Sequence, residues 1–598
     1  MTLPSDSTYA AGSSVLQQGC LTWYSYVCPV LEQELRIGVM QHILSYGASA
    51  LLMALGAKVA TAKPIQPYAQ PGNADPVGVQ LAPWRKVDSN AAAAQGADAA
   101  CFESWGTYPT WDAARRELVS WVAYKPLSQA HGACALHTKT LDGGRPLSED
   151  ITSEKQGLLF FVSQTATEAS LNAQDPCDWA HRLANSIPFF EKPGDFSYAN
   201  TAAGSSSNQV VLQGRGGDGR LELTPKVVSL WKEYAILSLP NTPSGQIAAA
   251  NIDKYLPFDT YVSTLKPQQS SRIFPAEQDD GPDYGQVKYN PLISLILQDE
   301  ELNKERIRKT VEVVSGEDQR TEFAASSRFR GWDGRHSATI GARNAARWIK
   351  DEMQNSLLSV PDAKCHLWEY NTYYAPNVMC NIPASRGHAN ADDDDGDENA
   401  RVIISAHYDS RGTFGNVTAP GADDDGSGTS ALLSIGRVLG SKSVRFSRPV
   451  QLIFFSGEEQ GLVGSDAYAQ HLKDANVHVH LQLQIDMIAY RVEGEPMQMA
   501  FPDRYDTKTA TKHVMDIAQV YVPEIVVGYT PACCSDHQSF WSRDYPSTWV
   551  FERNNAIADP MYHNSGDYSR RKGYDYAQLQ ATTRVVLATL LTRAGFYL

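Results

Sequence analysis

The chain has 598 residues, of which 42% are hydrophobic and 20% charged, and carries a formal net charge of −15. That length exceeds what one ordinary core organises, so at least two domains are expected. The composition is globular, and the acidic balance argues against nucleic acid as a partner, since phosphate binding needs a basic face.

Residues 1–39 lack the basic-then-apolar start of a leader, but Met40 opens a short apolar run that closes on the small-residue site Ala60-Thr61-Ala62. Residues 40–62 therefore read as a signal peptide. An apolar core of about 14 residues is too short to cross a bilayer, so no stable membrane span is expected. A secreted protein is expected, with the vacuole as the alternative. Residues 63–98, rich in Pro, Ala and Gln, read as linker. Residues 99–285 read as a separate α+β domain of unknown role, a pro-region or a lid over the active-site mouth. Its examples are an aromatic-rich helical segment from Trp111 to Tyr124 and strand-like runs at 157–162 and 208–212. Gly/Ser-rich loops lie at 204–207 and 214–219. His131 and His137 read as ordinary surface or core histidines, and the pairing of Cys101, Cys134 and Cys177 cannot be deduced. No CxxC pair occurs, which argues against a thiolate zinc site.

From about residue 290 the pattern changes to alternating helices and strands, as expected of an α/β domain with a mostly parallel central sheet covered on both faces. A charged helix spans 299–314. A second begins near Ser337, with Ala342, Ala345, Ala346, Ile349 and Met353 on one face. Strands at 363–371 and 376–383 form a hairpin flanked by Cys365 and Cys380, which could bridge across it in a secreted chain. The acidic run 392–398 lacks the ligand spacing of a calcium loop and reads as a solvated hairpin tip. Next come V-I-I-S-A-H-Y-D (402–409) and G-A-D-D-D-G-S-G (421–428), which opens a helix stopped at Gly440. V-Q-L-I-F-F-S (450–456) breaks into G-E-E-Q-G (457–461), and L-Q-L-Q-I-D-M-I-A-Y (481–490) carries Asp486. A strand from Ser547 to Glu552 leads to M-Y-H-N-S-G-D (561–567), and a last helix starts near Asp575. Three apolar strands thus end in metal-competent side chains, and open α/β sheets place their sites at the carboxyl ends of strands.

In order, H-x-D, G-A-D-D-D-x-S-G, G-E-E-x-G-L-x-G-S, a strand-end aspartate, S-D-H and a final histidine resemble the dizinc aminopeptidases related to bacterial leucyl aminopeptidase, aminopeptidase Y and glutamate carboxypeptidase. The resemblance covers 290–598 and implies a three-layer zinc-exopeptidase fold with two Zn2+ per chain. The implied ligands are His407, Asp424 and Asp486 for one ion, and Asp424, Glu459 and His563 for the other, with Asp424 as the bridge followed by a cis peptide. A bridging carboxylate is also what a paired site needs on physical grounds. Glu458 is the implied general base, and Asp409 can accept the outer N–H of His407.

Met487, Phe551 and Tyr562 fall where the family's apolar substrate wall lies, with Trp549 and Tyr529 as further candidates. An apolar pocket favours Leu, Met or Phe, and no arginine cluster suits a second substrate carboxylate. In the family the S-D-H loop (535–537) carries two bonded cysteines three residues apart. Here Cys534 matches the second, Thr530 stands at the first position, and Cys533 is extra, which leaves that bridge in doubt. Asn416-Val417-Thr418 is a glycosylation sequon. The expected partners are peptide or protein N-termini. Two other readings share the fold: a glutaminyl-cyclase-like acyltransferase, which would use one zinc, and a receptor-like homologue, which would have lost ligands.

Overall fold

The strands that end in candidate ligands are buried along nearly their whole length. In the computed structural model, the described residues are 80–84, 102–112, 117–126, 145–146, 157–172, 178–186, 225–230, 234–266, 281–318, 331–385, 399–413 and 416–598. Nearly all of them belong to one compact unit, 78–229 with 233–598. The proposed signal peptide, the 204–219 loops, the strand at 208–212, His131, His137, Cys101, Cys134, Cys177 and the acidic run 392–398 lie outside the described residues.

A six-stranded sheet runs in the order Ser547–Val550, Val479–Ile485, Arg401–His407, Val450–Phe455, Asn377–Ile382, Lys364–Trp368. The first four strands are parallel, and the hairpin at the far edge is antiparallel. The pleat sorts residues between two cores. Val402, Ile404 and Ala406 pack with the helices Ile340–Ser356, Gly426–Ser441 and Tyr576–Ala594, whereas Ile403, Ile453 and Phe455 pack with Tyr468 and Phe540 on the opposite face. This is the expected three-layer α/β arrangement. The helix Gly426–Ser441 is buried almost throughout. Gly440 is not its stop but a point of close approach, because a Cβ there would stand 1.7 Å from the Ser356 carbonyl oxygen. The expected helix 299–314 divides into a 3-10 turn, Glu300–Leu302, and a helix, Lys304–Val314, because the Asn303 side chain caps the second by accepting from the Arg306 N–H. Cys365 and Cys380 stand directly opposite each other in the edge hairpin and form a disulfide.

The N-terminal region differs from expectation in two places. The described residues of the Trp111 to Tyr124 segment, 111–112 and 117–124, are strand rather than helix. Phe102–Asp112 and Glu117–Pro126 pair as an antiparallel hairpin, and the β-branched and aromatic residues there fit a pleated surface better than a helix. Gln80–Trp84, read as linker, adds a strand to the same sheet by pairing with 120–124. A second antiparallel sheet comprises Lys226–Leu230, Tyr234–Leu239, Leu158–Gln164 and Thr260–Thr264. Tyr108 stacks on Phe161 between the two sheets at 4.8 Å. Among the described residues no helix is long and apolar enough to cross a membrane.

Candidate metal centre

Each candidate ligand is delivered by the carboxyl end of a sheet strand or by the turn beyond it. His407 is the last residue of its strand, and Asp486 directly follows Val479–Ile485. Glu458 and Glu459 occupy the turn after Val450–Phe455, Asp424 lies just before the helix Gly426–Ser441, and His563 lies in the loop beyond Ser547–Val550. The structure brings all five expected ligands together in a buried cluster. His407 Nε2 lies 3.3 Å from Asp424 Oδ1 and 3.5 Å from Asp486 Oδ1. His563 Nε2 lies 3.0 Å from Glu459 Oε2 and 3.4 Å from Asp424 Oδ2. Asp424 therefore turns one oxygen to each histidine.

The backbone around these side chains is specialised. The peptide bond between Asp424 and Asp425 is cis. Asp425 also has an oxygen within 4.8 Å of His407 and Asp486 ligand atoms. Its oxygens, however, are taken by main-chain donors: the Gly428 N–H at 2.8 Å, the His407 N–H at 3.1 Å and the Met487 N–H at 3.3 Å. Asp425 thus caps the helix and joins it to His407 and Met487 at two strand ends, which leaves Asp424 as the carboxylate that faces both histidines. Gly428 permits this, since a Cβ would stand 2.5 Å from both Asp425 Oδ1 and the Ile485 carbonyl. Asp409 lies 3.5 Å from His407 Nδ1, and its carboxylate accepts from the Glu458 and Glu459 N–H groups at 3.4 Å each. One side chain thereby fixes the glutamate turn and faces the outer nitrogen of the first histidine.

Charge at the site is unbalanced. Burial raises Asp424 to about 7, with Glu459 next in effect, and burial raises Glu459 to about 8. Burial pushes the Glu458 carboxyl well up; His407 opposes that, while Asp486, Asp536 and Glu459 add to it. Burial lowers His563 to about 3, so its imidazole stays neutral. Both His407 ring nitrogens, both Glu459 oxygens and Asp486 Oδ1 are buried without a hydrogen-bond partner. Burial opposes charge on the His407 imidazole, but the neighbouring carboxylates Asp486 and Glu458 outweigh it and push the ring well up toward its charged form, so a positive charge is favoured among these groups. A cation would supply it, and this N/O donor set suits zinc.

A family model described as Peptidase family M28 matches residues 389–590, the stretch that supplies every one of these side chains. Residues 389–590 are similar to peptidase family M28. Relatives include leucine aminopeptidase 1 of Sclerotinia sclerotiorum, 28% identical over 46% of this chain and 68% of its own length. Leucine aminopeptidase 1 of Phaeosphaeria nodorum is 34% identical over 34% of this chain and 54% of its own length. The chain thus spans between about half and two thirds of these relatives. The LapA aminopeptidase of Legionella pneumophila shares the fold at a TM-score of 0.50 and 18% identity, over 73% of this chain and 99% of that one.

Beside the M28 cluster, Met487, Trp549 and Phe551 form one apolar group with Ala500, Ala532 and Ile557, and Tyr562 packs against it. The Trp549 Nε1–H donates to the Asp486 carbonyl at 3.1 Å, which couples this group to the ligands. Tyr529 is half-exposed and lies outside the group. In the S-D-H loop, Cys533 pairs with its neighbour Cys534, so the family's bridge is replaced by an adjacent one. Asp536 Oδ2 accepts from Gln484 Nε2 at 3.0 Å, and His537 stacks on Trp549. Sequence reasoning missed what the N-terminal region brings. The Ile557 N–H donates to the Ala166 carbonyl, and the Thr165 hydroxyl donates to the Cys533 carbonyl. Arg411 was also missed, although it stands two residues beyond Asp409 in the H-Y-D-S-R run.

Proposed function

We propose that the chain is an aminopeptidase that binds two zinc ions and hydrolyses apolar residues from peptide N-termini. The observation that carries this reading is Asp424, whose two oxygens face two separate buried histidines. His407, Asp424 and Asp486 would hold one ion, and Asp424, Glu459 and His563 the other. Zinc, when bound, supplies Lewis-acid polarisation of the scissile carbonyl and makes water acidic enough to ionise near neutrality. Glu458 takes the proton of the attacking water as the new C–O bond forms, then returns it to the amine as the C–N bond breaks. Asp409 keeps His407 and the Glu458 turn in register. Met487, Trp549 and Tyr562 offer an apolar wall for the first side chain of the substrate.

The test is zinc addition to chelator-treated protein, read both as hydrolysis of a leucyl anilide and as melting temperature. In the metal-free fold Asp424 and Glu459 titrate at about 7 and about 8, above their unfolded values. The folded chain then holds more protons than the unfolded one, so metal-free stability falls as pH rises through that window. Above it the Asp424 and Glu459 carboxylates are ionised, and a cation relieves the repulsion between them. Zinc should therefore raise the melting temperature more at about pH 8.5 than at about pH 6. No stabilisation at either pH, together with no zinc-dependent hydrolysis, refutes the reading.

Export with cleavage after Ala62 belongs to the same proposal. The Cys365–Cys380 disulfide supports it, and the exposed Asn416 would be open to glycosylation. N-terminal sequencing of protein recovered from culture medium should begin at Lys63. A cell-retained chain that starts at Met1 with Cys365 reduced ends this part of the proposal alone.

A further inference from the structure

We infer that the N-terminal region is a working part of the metal centre: the main-chain carbonyl of Phe258, held in place by the buried Arg411–Asp253 cluster, orients the His563 imidazole. This rests on the metal-centre reading above. Between the 3-10 turn Ile252–Tyr255 and the strand Thr260–Thr264, the chain reaches the rear of His563. His563 Nδ1 lies 2.6 Å from the Phe258 carbonyl oxygen and 3.0 Å from Arg411 Nη1. A guanidinium only donates and a carbonyl only accepts, so Nδ1 can satisfy one of them at a time. When Nδ1 carries the proton it donates to Phe258, and the Nε2 lone pair faces Glu459 and Asp424. That is the arrangement a metal-ligating histidine requires of its outer nitrogen.

Arg411 then serves the carbonyls rather than the ring. Its Nη2 donates to Leu256 O at 3.3 Å and Pro257 O at 3.1 Å, and its Nη1 to Thr260 O at 3.3 Å. Its Nε stands 4.0 Å from Asp253 Oδ2, and Asp253 in turn lies 3.1 Å from His336 Nε2. One buried guanidinium thus fastens the turn that carries Phe258, with a buried carboxylate balancing its charge. His563 itself sits at a left-handed φ of 51°, a conformation that a non-glycine residue keeps only where its surroundings hold it. A pro-region discarded on maturation could not do this, so the N-terminal region stays with the active enzyme.

Asp253 and Arg411 are positioning residues, and zinc retention tests them. In the full-length chain, Asp253→Asn and Arg411→Lys should each weaken one of two ions by about 10–100-fold in a competing-chelator titration and leave the other unchanged. His563→Ala should weaken the same ion, and adding Asp253→Asn to it should cause little further loss. Circular dichroism of the metal-free variants reports folding, and Arg411→Lys decides if Asp253→Asn does not fold. Wild-type affinity for both ions, or equal loss of both, overturns the inference. A wild-type chain that takes up no zinc instead removes the metal-centre reading on which it rests.

Discussion

Glu458→Gln is expected to lower kcat by about 10²–10⁴ while leaving zinc content and melting temperature near wild type, the loss typical of a missing general base. The substitution keeps the shape of the side chain and removes its ability to take a proton. The turn itself is set by the main chain, since the Glu458 and Glu459 N–H groups both bond the Asp409 carboxylate. Glu459 should therefore keep its place beside His563, 3.0 Å away. Gly457 allows the turn at φ 77°, directly beyond a fully buried strand, so Glu458 stands on a rigid support. Steady-state kinetics with parallel zinc analysis checks the outcome. Near-wild-type turnover by a zinc-replete variant would sink the assignment of Glu458 as base.

Asp424→Asn is expected to cost zinc at both positions and to abolish activity. An amide has one acceptor oxygen, and its NH2 group would point donors toward one of the two ions. Because Asp424 divides its oxygens between His407 and His563, neither orientation of the amide serves both sides. The neighbours behave differently. Asp423 Oδ1 accepts from the Ala489 N–H at 3.0 Å, and Asp425 accepts from three main-chain donors. Asp423→Asn and Asp425→Asn should lower stability rather than strip metal, by about 1–3 kcal/mol for a weakened buried hydrogen bond. Metal analysis after dialysis separates the three. Retention of both ions by Asp424→Asn, with loss by Asp425→Asn, would move the bridge by one residue.

Much of the M28 domain was legible in the sequence because its logic is local. An apolar strand buried on both faces is a nearly continuous hydrophobic run, and Val402–Ala406 and Leu452–Phe455 read that way, whereas Leu481–Ile485 alternates leucine with buried Gln482 and Gln484. His407 and Asp486 stand at strand ends, and the resemblance to the dizinc aminopeptidases named them together with Asp424, Glu458, Glu459 and His563 before the fold. The symmetry of the hairpin pointed to a Cys365–Cys380 bridge in a secreted chain, and the two residues pair.

What only the tertiary structure decided depends on groups with no side-chain signature or on partners far apart in sequence. Glu117–Tyr124 is extended because Phe102–Asp112 lies against it, and such pairing overrides a reading made from one segment. Asp425 carries the same carboxylate as Asp424, and only three incoming N–H groups reveal that it caps loops. The Phe258 contact is legible in no motif, because a main-chain carbonyl is the same at every residue. It acts on His563 across 305 positions of sequence, a separation that only the folded chain closes.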